Sequence, residues 1–469
     1  MLGGLGVASA HALLWAFGCS QPARAPRRAP QEVSGEVRTW LRDAVEILAG
    51  AGLAGHALAV SRQRTTAGID VLGAGVAHAR GDGVVLTIRQ PGGTREQVTS
   101  ELTRDGVEAA ARALAGKAHP AHVEFGAPPP AAPVPRPDPE TITDANLLDS
   151  IAAIAARDPM TSSRIVYSAG LLEIDDAMVW SVAAGHDLEQ RLYRLRRSLV
   201  RVAWNGTRPV VSEIARAWSG GINDQTFTDV EIAYAREAAL ALTTPGAFED
   251  GPHELVLAPE VVAALIDTAV RALLTETALR RPEVAQRVAA GAAVASPVLT
   301  LVDDPTAKGA YGGFQFDDDG RVASAVTLID RGHVVGRVAR GRRPGHVGPI
   351  EAAPSHLRLV AGGSAELALD DGYRLEGSVD AHVDPSSDRI VLGVQRAVEI
   401  KGGKRTGRIY ADVELVGELA PLLASISEAT TRVASIGIRD DRDGLPRWRS
   451  IEAPFVRGRG TLRARRRPA

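Results

Sequence analysis

Residues 257–277, LAPEVVAALIDTAVRALLTET, followed by residues 302–320, VDDPTAKGAYGGFQFDDDG, decide how this chain is read. Pro259 and Glu260 suit a first helical turn, because proline loses no needed donor there and a carboxylate complements the positive end of the helix. Val261, Leu265, Ala269 and Leu273 form one i, i+4 row, and Val262, Ile266, Val270 and Leu274 form its neighbour. Two adjacent apolar rows make a face wide enough to be buried. Ala264, Asp267, Thr268 and Arg271 lie toward the other side, where the spacing of Asp267 and Arg271 favours an ion pair. The run Asp317, Asp318, Asp319 lacks the alternating ligands and terminal bidentate Glu of a calcium loop. With Gly320 behind it, it reads as a tight Asp-Gly turn.

Outward from this core the chain is mixed. On the N-terminal side, VRTWLRDAVEILAGAG from Val37 reads as an amphipathic helix, HALAVSRQRTT and GDGVVLTIRQ as strands, and REQVTSELTRDGVEAAARALAG as a second helix. GAPPPAAPVPRPDPE, residues 126–140, holds seven prolines and breaks all periodicity, which makes it a linker or long surface loop. NLLDSIAAIAARD is helical, and long strand-like runs flank Asn205-Gly206, a pair suited to a hairpin turn. Residues from about Asp229 to Leu242 return to helix. His253-Glu254 precedes Pro259 in a strand or loop and offers no helical ligand pair. On the C-terminal side AVTLID, VVGRVAR, HLRLVAG, RIVLGVQ and RIYADVELVG alternate with Gly-rich turns. The fold class is therefore α+β: an N-terminal mixed α/β domain, 37–250, then a mostly antiparallel β domain with one prominent core helix, 251–456.

Bulk properties exclude more than they assign. With 54 basic and 56 acidic groups and a net charge of −2, no global field recruits nucleic acid. No Gly-rich phosphate loop and no G-x-S-x-G nucleophile elbow occurs. Cys19 is the only cysteine, so Cys-rich metal sites and disulfides within the chain are excluded. It follows the apolar run MLGGLGVASAHALLWAFG and precedes the Pro- and Arg-rich stretch SQPARAPRRAPQEVSG. This is the layout of a lipoprotein signal, 1–19, with lipidation at Cys19 and a tether over 20–36. A cytoplasmic chain is the alternative. At the other end, RGRGTLRARRRPA, 457–469, reads as a solvated basic tail.

The ordered set of Val302 to Thr306, Gly309 to Gly313, Phe316 to Gly320 and Leu328 to Gly336, behind the Pro259 helix, resembles the TldD/PmbA metallopeptidase family. The resemblance covers roughly Val37 to Val456. Catalytic members of that family carry His-Glu-x-x-x-His on the helix and a cysteine near the C-terminus. Two imidazoles on one side of a helix aim at one tetrahedral ion, and the Glu activates its water. Laid on this pattern, the first His falls at Asp267, the Glu at Thr268 and the second His at Ala272. Alanine cannot ligate, and no late cysteine is present.

The resemblance thus implies a degenerate site at Asp267, Thr268 and Ala272, with no catalytic residue, no metal and no cofactor in this chain, and zinc only in a catalytic partner. It points to the non-catalytic TldE/PmbA-type member, paired with a TldD-like subunit that degrades extended peptides. Two alternatives stand beside it: a lipid-anchored binding or scaffold protein that reuses the fold, and a metallopeptidase with altered ligands.

Overall fold

The computed structural model describes residues 34–90, 93–117, 142–157, 164–204, 206, 209–242, 248–338, 353–360, 362–384, 387–440 and 447–465. Cys19, the Pro-rich segment, Asn205, Arg466 and Arg467 lie outside them.

Helix α1 (Ser34–Gly50) leads into a meander of long strands: β1 (Gly55–Asp70), β2 (Gly73–Gln90) and β3 (Gly93–Thr99). Helices α2 (Arg104–Ala115) and α3 (Asp144–Ala155) follow, then β4 (Ile165–Ala183), β5 (His186–Trp204), β6 (Pro209–Trp218) and α4 (Asp229–Ala241). The six strands form one antiparallel sheet in the order β3-β2-β1-β4-β5-β6. Strand geometry sends successive side chains to opposite faces, and both faces are used. Ala57, Ala59, Leu86, Met178 and Trp180 pack against Val37, Leu41 and Leu48 of α1 and Val107 and Leu114 of α2. Leu58 and Val179, on the other face, pack against Phe316 from the second half of the chain.

That second half begins with β7 (Gly251–Leu257) and α5 (Pro259–Leu273), then the short helices α6 (Glu276–Leu279) and α7 (Pro282–Arg287). Strands β8 (Leu301–Asp303), β9 (Val326–Asp330), β10 (His333–Val334), β11 (His356–Leu359), β12 (Gly372–Val383), β13 (Arg389–Lys401), β14 (Lys404–Tyr410) and β15 (Val413–Glu418) come next. Helix α8 (Leu419–Ala424) precedes β16 (Glu428–Asp440) and β17 (Arg447–Ala464). Pairing runs β17-β15-β13-β12-β7 and returns to β17, so five strands close a ring. Closure removes the unpaired edges that an open sheet would leave. One core joins the apolar rows of α5 to Leu255, Leu375, Leu392, Leu415 and Leu462 of these strands. The domain is thus the expected β unit with a prominent core helix, and the chain is α+β. Among the described residues, no helix is long and apolar enough to cross a membrane.

Three expectations are corrected. REQVTS is strand, not helix: Val84 to Gln90 pair with Thr99 to Gly93, and Thr103 caps α2 by accepting the Gly106 amide. Of the run VVGRVAR, described as far as Val338, only Val334 lies in a strand, the two-residue His333–Val334. The basic C-terminus is not a solvated tail as far as Ala464, because β17 continues through it and carboxylates meet its arginines. Arg457 and Arg459 pair with Glu254, Arg463 with Glu414 at 2.8 Å, and Arg465 with Asp380 at 2.6 Å.

Candidate functional site

Helix α5 turns its apolar rows into the ring, but its opposite flank is not solvent-facing. Strands β16 and β17 cover it, so Asp267 and Thr268 are only 3% and 5% exposed. A buried carboxylate must be matched by charge and hydrogen bonds, or folding would neutralise it. Asp267 is matched twice. Arg449 of β17 donates through Nε to Oδ1 at 2.9 Å and through Nη2 to Oδ2 at 3.1 Å, a bidentate fork. Arg271, one turn along α5, donates Nε to Oδ2 at 2.9 Å, as the i, i+4 spacing predicts. Ala272 is half-buried against the same core.

The backbone behind Arg449 has little room to move. Ser450 accepts the Gly312 amide at 3.0 Å and bonds His356 Nδ1 at 2.7 Å. Asp303 anchors the same layer, its Oδ1 accepting the amides of Ser355 and His356 and the Ser355 hydroxyl. A Cβ at Gly312 would lie 1.9 Å from the Ser355 carbonyl oxygen and 3.0 Å from the Arg449 Cα. Gly312 is therefore required by close approach, which explains the GAYGG run through packing rather than phosphate binding.

Zinc does not fit this donor set. Of the three motif positions, only Asp267 carries a strong ligand, and both its oxygens are taken by guanidinium groups. A zinc site takes at least three protein ligands. Among the described residues, no group of three or more His, Cys, Asp or Glu side chains could hold a metal ion. His253 lies in β7 and packs its ring on Tyr373 at 4.9 Å and Phe248 at 6.0 Å.

A second charged cluster adjoins the first through Trp448, the residue before Arg449. The guanidinium groups of Arg62 (β1) and Arg194 (β5) lie 4.4 and 4.8 Å from the Trp448 ring centre. Between them sits Asp175 of β4, 6% exposed, with Oδ1 3.3 Å from Arg62 and Oδ2 3.8 Å from Arg194. Burial raises the Asp175 carboxyl above the usual range against the pull of both arginines. Burial also lowers Arg62, and lowers Arg194 to about 10. Arg194 further donates to the Tyr311 and Gly313 carbonyls, and Gln190 bonds the Phe316 carbonyl, so the 309–320 segment is fastened to the N-terminal sheet. The DDDG turn lies at its end. Asp317 Oδ1 accepts the Asp319 and Arg321 amides, Gly320 has φ of 76°, and burial pushes the Asp317 carboxyl up to about 6.

Sequence reasoning located Asp267 and its Arg271 partner but missed Arg449, which lies 182 positions away and carries no motif. The Asp175 cluster was missed for the same reason.

Residues 250–457 match the PmbA/TldA metallopeptidase C-terminal domain. A metalloprotease of Methanocaldococcus jannaschii is 25% identical over 232 residues, 45% of this chain and 51% of that protein. The chain thus spans about half the length of this curated relative. Among solved structures, one described as a modulator of DNA gyrase from Bacteroides thetaiotaomicron superposes with a TM-score of 0.73 at 17% identity, covering 92% of this chain and 100% of that one. TldE from Thermococcus kodakarensis gives 0.72 at 16% identity, covering 91% and 99%. Residues 250–457 are thus a C-terminal domain of the PmbA/TldD metallopeptidase type, and the chain as a whole shares the fold of these solved structures.

Proposed function

We propose that this chain is a non-catalytic member of its family, serving as a subunit or partner in peptide proteolysis while a TldD-like chain supplies the zinc chemistry. The observation that carries this reading is the occupancy of Asp267 by Arg449 and Arg271 where a peptidase of this family places ligands. A carboxylate whose two oxygens already accept three charge-assisted hydrogen bonds from two guanidinium groups is a poor metal ligand, and Thr268 and Ala272 add neither an imidazole nor a general base. The likeness to TldE supports the partnership.

The test is a pull-down of the tagged chain with metal analysis of what is captured. The reading expects a second chain carrying His-Glu-x-x-x-His, with zinc present in the complex and none in the isolated chain. Zinc held stoichiometrically by the isolated chain, and lost on Asp267→Ala, would refute it. The layout around Cys19 supports a second reading, a lipid-anchored binding or scaffold protein. Labelling of Cys19 by a fatty acid probe, together with capture of no such chain, would favour it.

A further inference from the structure

We infer that Arg449 is a resident cation that itself excludes divalent metal from the α5 site, so that restoring ligands on the helix alone would not restore metal binding. The inference rests on the reading of this chain as non-catalytic and adds the residue that enforces it. Three observations carry it. Arg449 is 3% exposed and grips Asp267 with both arms of its fork, a geometry lysine cannot reproduce. Its backbone is held between two strands, with Arg449 opposite Ile438 of β16 and Ser450 opposite His356 of β11. The close approach of Gly312 to its Cα leaves no room on that side for the strand to shift. The strand that carries the guanidinium is therefore fixed in place beside Asp267.

Charge points the same way. Two guanidinium groups share the Asp267 carboxylate, so cationic heads already stand at the oxygens a metal would need. A dication within a few ångströms of a buried, permanently charged guanidinium is repelled much more strongly than in water. Replacing Asp267 by an uncharged ligand such as histidine would worsen this, because it removes the carboxylate that Arg449 grips with both arms of its fork. Loss of the metal site is thus a coupled change, with a cation fixed in the space a metal would need.

Two sets of variants test the inference, with folding checked by circular dichroism and thermal midpoint. In the first, Asp267→His, Thr268→Glu and Ala272→His are made together, with Arg449 retained or changed by Arg449→Cys, and zinc retention is measured by equilibrium dialysis against zinc chloride. The triple variant is expected to lose essentially all zinc on dialysis. The quadruple variant, in which the cation is gone and a thiolate is available, is expected to bind at least about tenfold more tightly. Equal zinc binding by both would overturn the inference while leaving the non-catalytic reading of the natural chain intact. Zinc bound by the unaltered chain would instead overturn that reading.

The second set does not depend on the multiple variants folding. Arg449→Gly in the otherwise natural chain is expected to lower the thermal midpoint, and millimolar methylguanidinium is expected to raise it again, since it can refill the vacated fork. Zinc chloride at the same concentration is expected to have no such effect. Recovery with zinc, or failure of methylguanidinium to stabilise the variant, would contradict the role assigned to Arg449.

Discussion

Two buried carboxylates, one served by Arg449 and the other by the arginines that stack on neighbouring Trp448, are treated very differently. Asp267 accepts three charge-assisted hydrogen bonds at 2.9 to 3.1 Å from Arg449 and Arg271. Asp175 is nearly as buried, yet it meets Arg62 and Arg194 at 3.3 and 3.8 Å, in contacts that are ionic without being good hydrogen bonds. The first cluster is closed by one domain, with a helix and a strand of the same β ring. The second spans the seam between the N-terminal sheet and the segment around Trp448. A site inside one packed domain can settle into ideal geometry, whereas one built across two surfaces must satisfy both and settles for looser contacts.

This contrast can be broken by mutation. Arg449→Ala should cost about 3–5 kcal/mol of unfolding free energy in urea titration, because it takes two of three charge-assisted hydrogen bonds from a buried carboxylate. Asp267→Leu combined with Arg449→Met should recover most of that loss, since apolar isosteres of a buried pair are often neutral or better. Asp175→Asn should cost less, about 1–2 kcal/mol, because the Asp175 charge is already penalised by burial and is poorly hydrogen-bonded. A loss at Asp175 as large as that at Arg449 would erase the distinction between the two clusters.

The DDDG turn sharpens the comparison through pH. Because the folded Asp317 carboxyl is raised to about 6, the native state binds more protons than the unfolded state between that pH and the ordinary aspartate range. The charged carboxylate therefore weakens the fold above about pH 6, and the penalty is relieved as pH falls through that value. Asp317→Asn should stabilise the protein by about 1–2 kcal/mol at pH 7.5, and the gain should fade by about pH 4. A gain that stays constant over this range would show that Asp317 is not strained by its surroundings. At the small end, Arg459→Ala should shift stability by no more than about 0.5 kcal/mol, because its pair with Glu254 is exposed to solvent.

What the sequence made legible follows the range of the interactions. The Pro259 helix, its buried rows and the Asp267–Arg271 pair were readable because each rests on contacts within about one turn. The DDDG turn was readable from local chemistry, and the hairpin after Trp204 from the two strand-like runs on either side. Arg449 was not, since an arginine in a strand looks alike whether it meets water or a carboxylate 182 positions away. The same blindness misread the C-terminus. Arg457, Arg459, Arg463 and Arg465 look like a charged tail until the ring closes and brings Glu254, Glu414 and Asp380 beside them. REQVTS was misread because its periodicity merges with the helix that Thr103 begins.

That Asp267 is the counter-ion of Arg449 rather than a spare ligand is tested most directly by a double-mutant cycle on the two. Asp267→Asn, Arg449→Met and their combination, compared by urea unfolding, should give a coupling energy of about 2–3 kcal/mol, typical of interacting buried charges. A coupling below about 0.5 kcal/mol, the value expected for independent sites, would contradict it.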